Sequence, residues 1–183
     1  MKKDSNIRGI ILRYISILLI TLFFYFSSIP EKVLTVLTLY PLNFILNLFT
    51  DTLIFENSLV ISNFIIDIIP ACVAVSAYLL LFILNFITPM TSKTRLKSIL
   101  FSLLALWLLN LLRILFLAYL FMVHYSNFEF IHKFIWYFAS TMLVVLIWLA
   151  TCYLFKIKSI PVYSDIIYLL DSKEKVKSIR KKR

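Results

Sequence analysis

Residues 98–123 read SILFSLLALWLLNLLRILFLAYLFMV, an apolar run whose only charge is Arg113. A helix needs roughly 20 residues, at about 1.5 Å each, to cross the hydrocarbon core of a bilayer, and this run exceeds that length. Three further runs, at 9–29, 71–88 and 134–155, are apolar over a comparable length. Of the 183 residues, 62% are hydrophobic and 16% aromatic, and the mean hydropathy is +0.95. Such a composition belongs to a chain solvated by lipid rather than water. The expected fold is an all-α integral membrane protein, a helical bundle of about four transmembrane spans. Residues 1–160 would form its multi-pass membrane domain and 161–183 a basic cytoplasmic tail.

Charge sets the orientation of these spans. Nineteen Lys and Arg against nine Asp and Glu give a net charge of +10. Lys2, Lys3, Arg8 and Arg13 lie at the amino end, Lys93, Arg95 and Lys97 between the second and third runs, and nine more from Lys156 onward. Sixteen of the nineteen thus fall on one side, the exceptions being Lys32, Arg113 and Lys133. By the positive-inside rule both termini and the loop around Lys93 are cytoplasmic, and the protein is a multi-pass protein of the cell membrane. Two inward termini require an even number of spans. Residues 33–49, a short run interrupted by Tyr40-Pro41, are therefore expected on the outer face as an amphipathic or re-entrant helix, although an even count also returns if another segment takes that place. Beyond them, 53–69 alternates apolar residues with Glu56, Asn57, Ser58, Ser62, Asn63 and Asp67, the pattern of a short outer β-hairpin turning at Glu56-Asn57-Ser58. The first run follows a basic amino end but precedes no small-residue cleavage site, which reads as an uncleaved anchor.

Composition also excludes. The single glycine, Gly9, removes phosphate-binding glycine loops, dinucleotide fingerprints and Gly-flanked serine elbows, all of which need glycine's backbone freedom. Two cysteines cannot build a disulfide framework, and two histidines with so few acids argue against a metal cluster. No cofactor is implied. Because the basic residues track topology, nucleic acid is disfavoured as a partner, and membrane lipid is the expected surrounding.

What remains are polar residues at membrane depth. An arginine at the centre of a lone helix costs about 2.5–3.5 kcal/mol to insert, so Arg113 needs a reason to be there. Asn110 lies three residues earlier on the same helix face, where both side chains can bond one neighbour. A structural arginine that snorkels or pairs with a buried acid is the alternative, yet no acid occurs within the spans. Cys72 opens the second run just after Pro70, where the free amides of a first helical turn favour thiolate over thiol. Taken alone it is also compatible with an inert small hydrophobe. His132 enters the fourth run from the outer loop, among Phe130, Phe134 and Trp136, where an interfacial histidine is equally at home. Taken together, Cys72 and His132 both lie at outer helix ends, with Arg113 on the ascending span between them. Cys152 lies twenty residues beyond His132, about 30 Å deeper, and cannot share that chemistry. His124 is expected to be solvated, and Asp67 or Glu129 are the outer acids that could orient His132.

The order Ala71-Cys72-Val73-Ala74-Val75-Ser76-Ala77-Tyr78, then Asn110-Leu111-Leu112-Arg113-Ile114, then His132 at the head of the final span resembles the exosortase/archaeosortase family of membrane-embedded cysteine enzymes. The likeness covers roughly 53–150. Family members usually carry a small polar residue and a glycine just after the cysteine, where this chain has Val73 and Ala74, and a glycine after the histidine that is missing here. The resemblance implies a cysteine peptidase/transpeptidase, an intramembrane enzyme that cleaves the C-terminal hydrophobic sorting signal of secreted surface proteins and transfers them to a lipid or surface anchor. It implies Cys72 as nucleophile, His132 as proton carrier, Arg113 as stabiliser of the oxyanion or holder of the substrate carbonyl, and Asn110 as support for the guanidinium, in an active site near the outer face. Two other classes compete. A non-catalytic membrane scaffold predicts that Cys72→Ala and Arg113→Leu leave function intact, and a transporter component predicts anion flux without thiol dependence.

Overall fold

The computed structural model describes residues 7–61 and 64–157. Helix α1, Ile7–Phe26, leads into α2, Ile29–Leu46. Strands β1 (Thr52–Phe55), β2 (Ser58–Ile61) and β3 (Phe64–Asp67) follow. Then come α3 (Pro70–Val73), α4 (Val75–Ile87), α5 (Ser92–Met122), α6 (Phe128–Phe134), a π-helical turn (Ile135–Ala139) and α7 (Ser140–Leu154). The basic tail at 161–183 lies outside the described residues. Four helical stretches are long and apolar enough to cross a membrane: Ile29–Leu46, Pro70–Ile87, Ser92–Met122 and Phe128–Leu154.

The first of these four corrects the sequence expectation. Residues 33–49, expected on the outer face, belong instead to the bundle, where α2 buries Leu39, Leu42 and Leu46 against Leu59, Val73, Leu111 and Ile114. Pro41 sits inside α2 without ending it. Proline has no N–H to bond the carbonyl four residues back, so Leu37 O lacks its helical donor. Trp107 of α5 supplies the missing bond, its indole Nε1–H donating to Leu37 O at 3.0 Å. Leu34 packs against the cluster that contains Leu106, Leu37 meets Trp107, and Leu42 and Leu46 join Leu111 and Ile114. Residue numbers rise together along both helices, so α2 and α5 run in the same direction. By contrast α1, from the run at 9–29, turns Leu12, Leu18, Leu19 and Phe23 outward. Its Arg13 is buried and donates from Nη1 to Ile87 O, 3.0 Å away, at the carboxyl end of α4.

The expected hairpin at Glu56-Asn57-Ser58 is present and larger than expected. Glu56 takes a left-handed conformation, φ 52°, and β1 pairs with β2 in antiparallel register, Phe55 opposite Ser58. β3 then adds a third antiparallel strand, Asp67 opposite Ser58 and Phe64 opposite Ile61, giving a sheet of order β1-β2-β3. Leu59 and Ile61 of β2 are buried in the same core cluster as Leu42, Leu46, Leu111 and Ile114, which seats the sheet at the carboxyl ends of α2 and α5.

At the other end, a second apolar cluster of Tyr78, Leu81, Leu106, Val144 and Ile147 ties α4, α5 and α7 together. Beneath it Asn85, Ser98 and Ser102 are fully buried. Asn85 Nδ2 donates to Ser102 Oγ at 3.1 Å and Ser98 Oγ donates to Asn85 Oδ1. Each hydroxyl and amide in this cluster has a partner, the condition under which buried polar groups hold helices together in an apolar medium.

Candidate active site

The site is built from a broken helix. The sequence pattern reads 71–88 as one helix, but Ala74, at φ 58° and ψ 38°, is left-handed and divides it into α3 and α4. Cys72 sits in the resulting single turn, its amide donating to Ile69 O at 2.8 Å. This alters the expected setting of the thiol. A turn of four residues has a small macrodipole, and the Cys72 amide is already used, so the free first-turn amides drawn from the sequence are not what surrounds the sulfur. What replaces them comes from α5.

Breaking the helix at Ala74 leaves the carbonyls of α3 without the N–H groups that a continuous helix would bring. Asn110 Nδ2 donates to Cys72 O at 3.0 Å. Arg113 Nη2 donates to the same oxygen at 3.1 Å and to Ala71 O at 3.5 Å. Two side chains three residues apart on one helix face thus meet on one carbonyl, and Asn110 fixes the cysteine turn directly instead of the guanidinium as expected. Arg113 Nη1 donates to Ser140 Oγ at 2.5 Å, and Ser140 donates in turn to Ile135 O at 2.9 Å, across the π turn. The arginine therefore rests on neutral oxygens. Its Nε is shielded from solvent and has no partner among the described residues.

Cys72, Arg113 and His132 line one cavity of about 350 Å³. Its walls are otherwise apolar apart from Asp67, with Ile65, Ile66, Ile68 and Ile69 on one side, Ile114, Leu117 and Phe121 on α5, and Phe128, Ile135 and Trp136 opposite. His132 is exposed and its ring stacks on Phe128, centroids 5.6 Å apart. A smaller cavity of about 180 Å³ also meets Arg113 and is lined by Ala74, Ala77, Asn110, Ala139, Ser140 and Leu143 among others.

Neither expected acid orients His132. Glu129 binds Lys133 at 2.6 Å, and Asp67 Oδ1 accepts from Ser58 Oγ at 2.6 Å. His124 is exposed, left-handed at φ 52°, and packs on Phe64 with ring centroids 5.4 Å apart. Cys152, near the carboxyl end of α7, is a free thiol like Cys72 and lines neither cavity. The sequence around Ser140 carries no motif that marks it, and a buried arginine ordinarily calls for a carboxylate. Depth is the signal that finds it: eight residues below His132, a small hydroxyl lies about 12 Å down the last helix, level with Arg113. Comparison with family models, curated proteins and solved structures gives no match to this chain.

Proposed function

We propose that this chain is a multi-pass membrane thiol transpeptidase/protease, similar in its chemistry to the exosortase/archaeosortase family. It would act near the outer face on secreted proteins that end in a hydrophobic sorting signal. The observation that carries this reading is the shared cavity: Cys72, Arg113 and His132, drawn from three separate helices, line one largely apolar space, at the end of the bundle away from Lys93, Arg95 and Lys97.

In the proposed reaction the Cys72 sulfur attacks a substrate carbonyl while His132 takes the thiol proton. Negative charge develops on the carbonyl oxygen. Arg113, a cation lining the same cavity and held in place by its bonds to Ala71, Cys72 and Ser140, would stabilise it. Collapse of the tetrahedral adduct breaks the peptide bond, His132 protonates the departing amine, and a thioester remains on Cys72. An amine or other nucleophile of a lipid or surface anchor then attacks the thioester and restores the thiol. Apolar walls that hold back water favour transfer over hydrolysis.

The test is processing in cells. Secreted proteins of the same cell that end in a short motif, an apolar helix and basic residues are isolated from wild-type, Cys72→Ala and Arg113→Leu strains, and their carboxyl ends are determined by mass spectrometry. Loss of the shortened, anchored form in both variants is the expected result. Unchanged processing in Cys72→Ala overturns the proposal and favours a scaffold.

A further inference from the structure

The wall of the large cavity opposite α5 has an unusual composition for a strand. A strand that presents one face to a cavity contributes alternate residues, since successive side chains point to opposite sides. Here consecutive residues Ile65, Ile66 and Asp67, followed by Ile68 and Ile69, all line it. The cavity therefore meets the edge of β3. In the order β1-β2-β3 that edge has no strand beside it among the described residues.

The register shows which backbone groups the edge offers. Ile68 N–H donates to Asn57 O at 3.0 Å, so Asn57 and Ile68 form a hydrogen-bonded pair. Antiparallel pairs alternate, which makes Leu59 with Ile66, and Ile61 with Phe64, bonded pairs too. Ile65 and Asp67, opposite Val60 and Ser58, are then the unbonded positions, and their N–H and C=O groups point away from β2. The short contact from Ser58 Oγ to Asp67 Oδ1 agrees with this, since side chains are closest across unbonded pairs. Two donor–acceptor sets thus face an apolar cavity that also holds Cys72.

We infer that an extended segment of the substrate polypeptide binds as a fourth strand on the free edge of β3, directing its backbone toward Cys72. Main-chain bonds to Ile65 and Asp67 hold the segment whatever its side chains, while alternate side chains enter the apolar walls or point outward. The inference rests on the thiol chemistry proposed for Cys72 and adds how the substrate is held.

The test uses the full chain with Cys152→Ala in lipid nanodiscs and the probe acetyl-tetra-alanyl chloromethyl ketone. The Cys72 sulfur displaces chloride from the probe's methylene carbon, forming a carbon–sulfur bond, and intact mass reports the rate. Each amide nitrogen of the probe is methylated in turn. Edge pairing predicts a period of two, with alternate methylations slowing alkylation about fivefold to tenfold and the others having little effect. Ile65→Pro removes an outward N–H without costing a ladder bond, and should slow the unmethylated probe by the same factor while Ile65→Ala does not. Fast alkylation with equal sensitivity at every amide overturns the edge inference alone. Alkylation no faster than that by chloroacetamide overturns the thiol chemistry beneath it. If Ile65→Pro instead dissociates a dimer and leaves alkylation unchanged, the edge belongs to a second copy of the chain and the inference fails.

Discussion

Ala74 is the residue on which the site geometry turns. At φ 58° an alanine suffers a clash between its Cβ and the following carbonyl, worth roughly 1–2 kcal/mol, that glycine avoids. Nothing in Pro70-Ala71-Cys72-Val73-Ala74-Val75 announces this break, since alanine favours a right-handed helix, and the strain is met by tertiary bonds from Asn110 and Arg113. Ala74→Gly should therefore stabilise the protein by about 1 kcal/mol, read as a shift in the midpoint of SDS-induced unfolding in mixed micelles. Ala74→Val should destabilise it, and a destabilising glycine would show that the left-handed turn is not the native one. How much of the site the sequence discloses follows from the same residues. Three-residue spacing places Asn110 and Arg113 on one face, and depth arithmetic puts Cys72 and His132 at one level. Their common target, the Cys72 carbonyl, appears only once the helix is broken. Ser140 stays hidden for a different reason: a buried arginine calls for a carboxylate, and here neutral oxygens substitute for one.

Among the elements, α2 shows how a local signal is overridden by a neighbour. Tyr40-Pro41 reads as an interruption because proline removes an N–H and crowds the preceding turn, and from the sequence of 33–49 alone that reading is sound. The orphan it creates, Leu37 O, lies 70 positions from its donor, Trp107, a pairing that no local pattern encodes. A double-mutant cycle isolates this bond. Trp107→Phe should cost about 1–2 kcal/mol where Leu37 O is left unpaired in a site poor in water. Pro41→Ala restores a backbone N–H at position 41, and in that background Trp107→Phe should cost less, giving a coupling of about 1 kcal/mol between the two positions. Additive effects in SDS unfolding would mean that Trp107 acts through packing. The hairpin was legible for the opposite reason. Its alternation of apolar and polar residues and its turn are both local, whereas β3 pairs through residues that follow the turn-like Ser62-Asn63 and read equally well as an outer loop.

For the whole molecule, the parallel course of α2 and α5 resolves the charge distribution. Leu37 stands level with Trp107, and eight residues earlier on each helix Ile29 stands level with Ile99, about half a turn from Lys97. The start of α2, with Lys32, thus lies at the basic end of the bundle. One of the three exceptions to the charge asymmetry disappears, leaving Arg113, which is held by the cysteine turn, and Lys133, which pairs with Glu129. If α2, the α3–α4 unit, α5 and the α6–α7 unit cross the membrane, their alternating directions return the chain to its starting side after four crossings. Helix α1, tied by Arg13 to the carboxyl end of α4, then has no crossing left to make and would lie across that end of the bundle. This arrangement differs from one in which α1 crosses and α2 rests outside, and the two are separated by Ser27, in the link between them. In a chain carrying Cys72→Ala and Cys152→Ala, single cysteines are introduced as Ser27→Cys, Glu56→Cys or Lys93→Cys and exposed to a membrane-impermeant maleimide. Glu56→Cys, at the tip of the sheet, should label in intact cells, while Lys93→Cys and Ser27→Cys should label only after permeabilisation. Labelling of Ser27→Cys alongside Glu56→Cys in intact cells would place the α1–α2 link outside. The direction of α2 would then have to be reversed against the Trp107 contact that sets it.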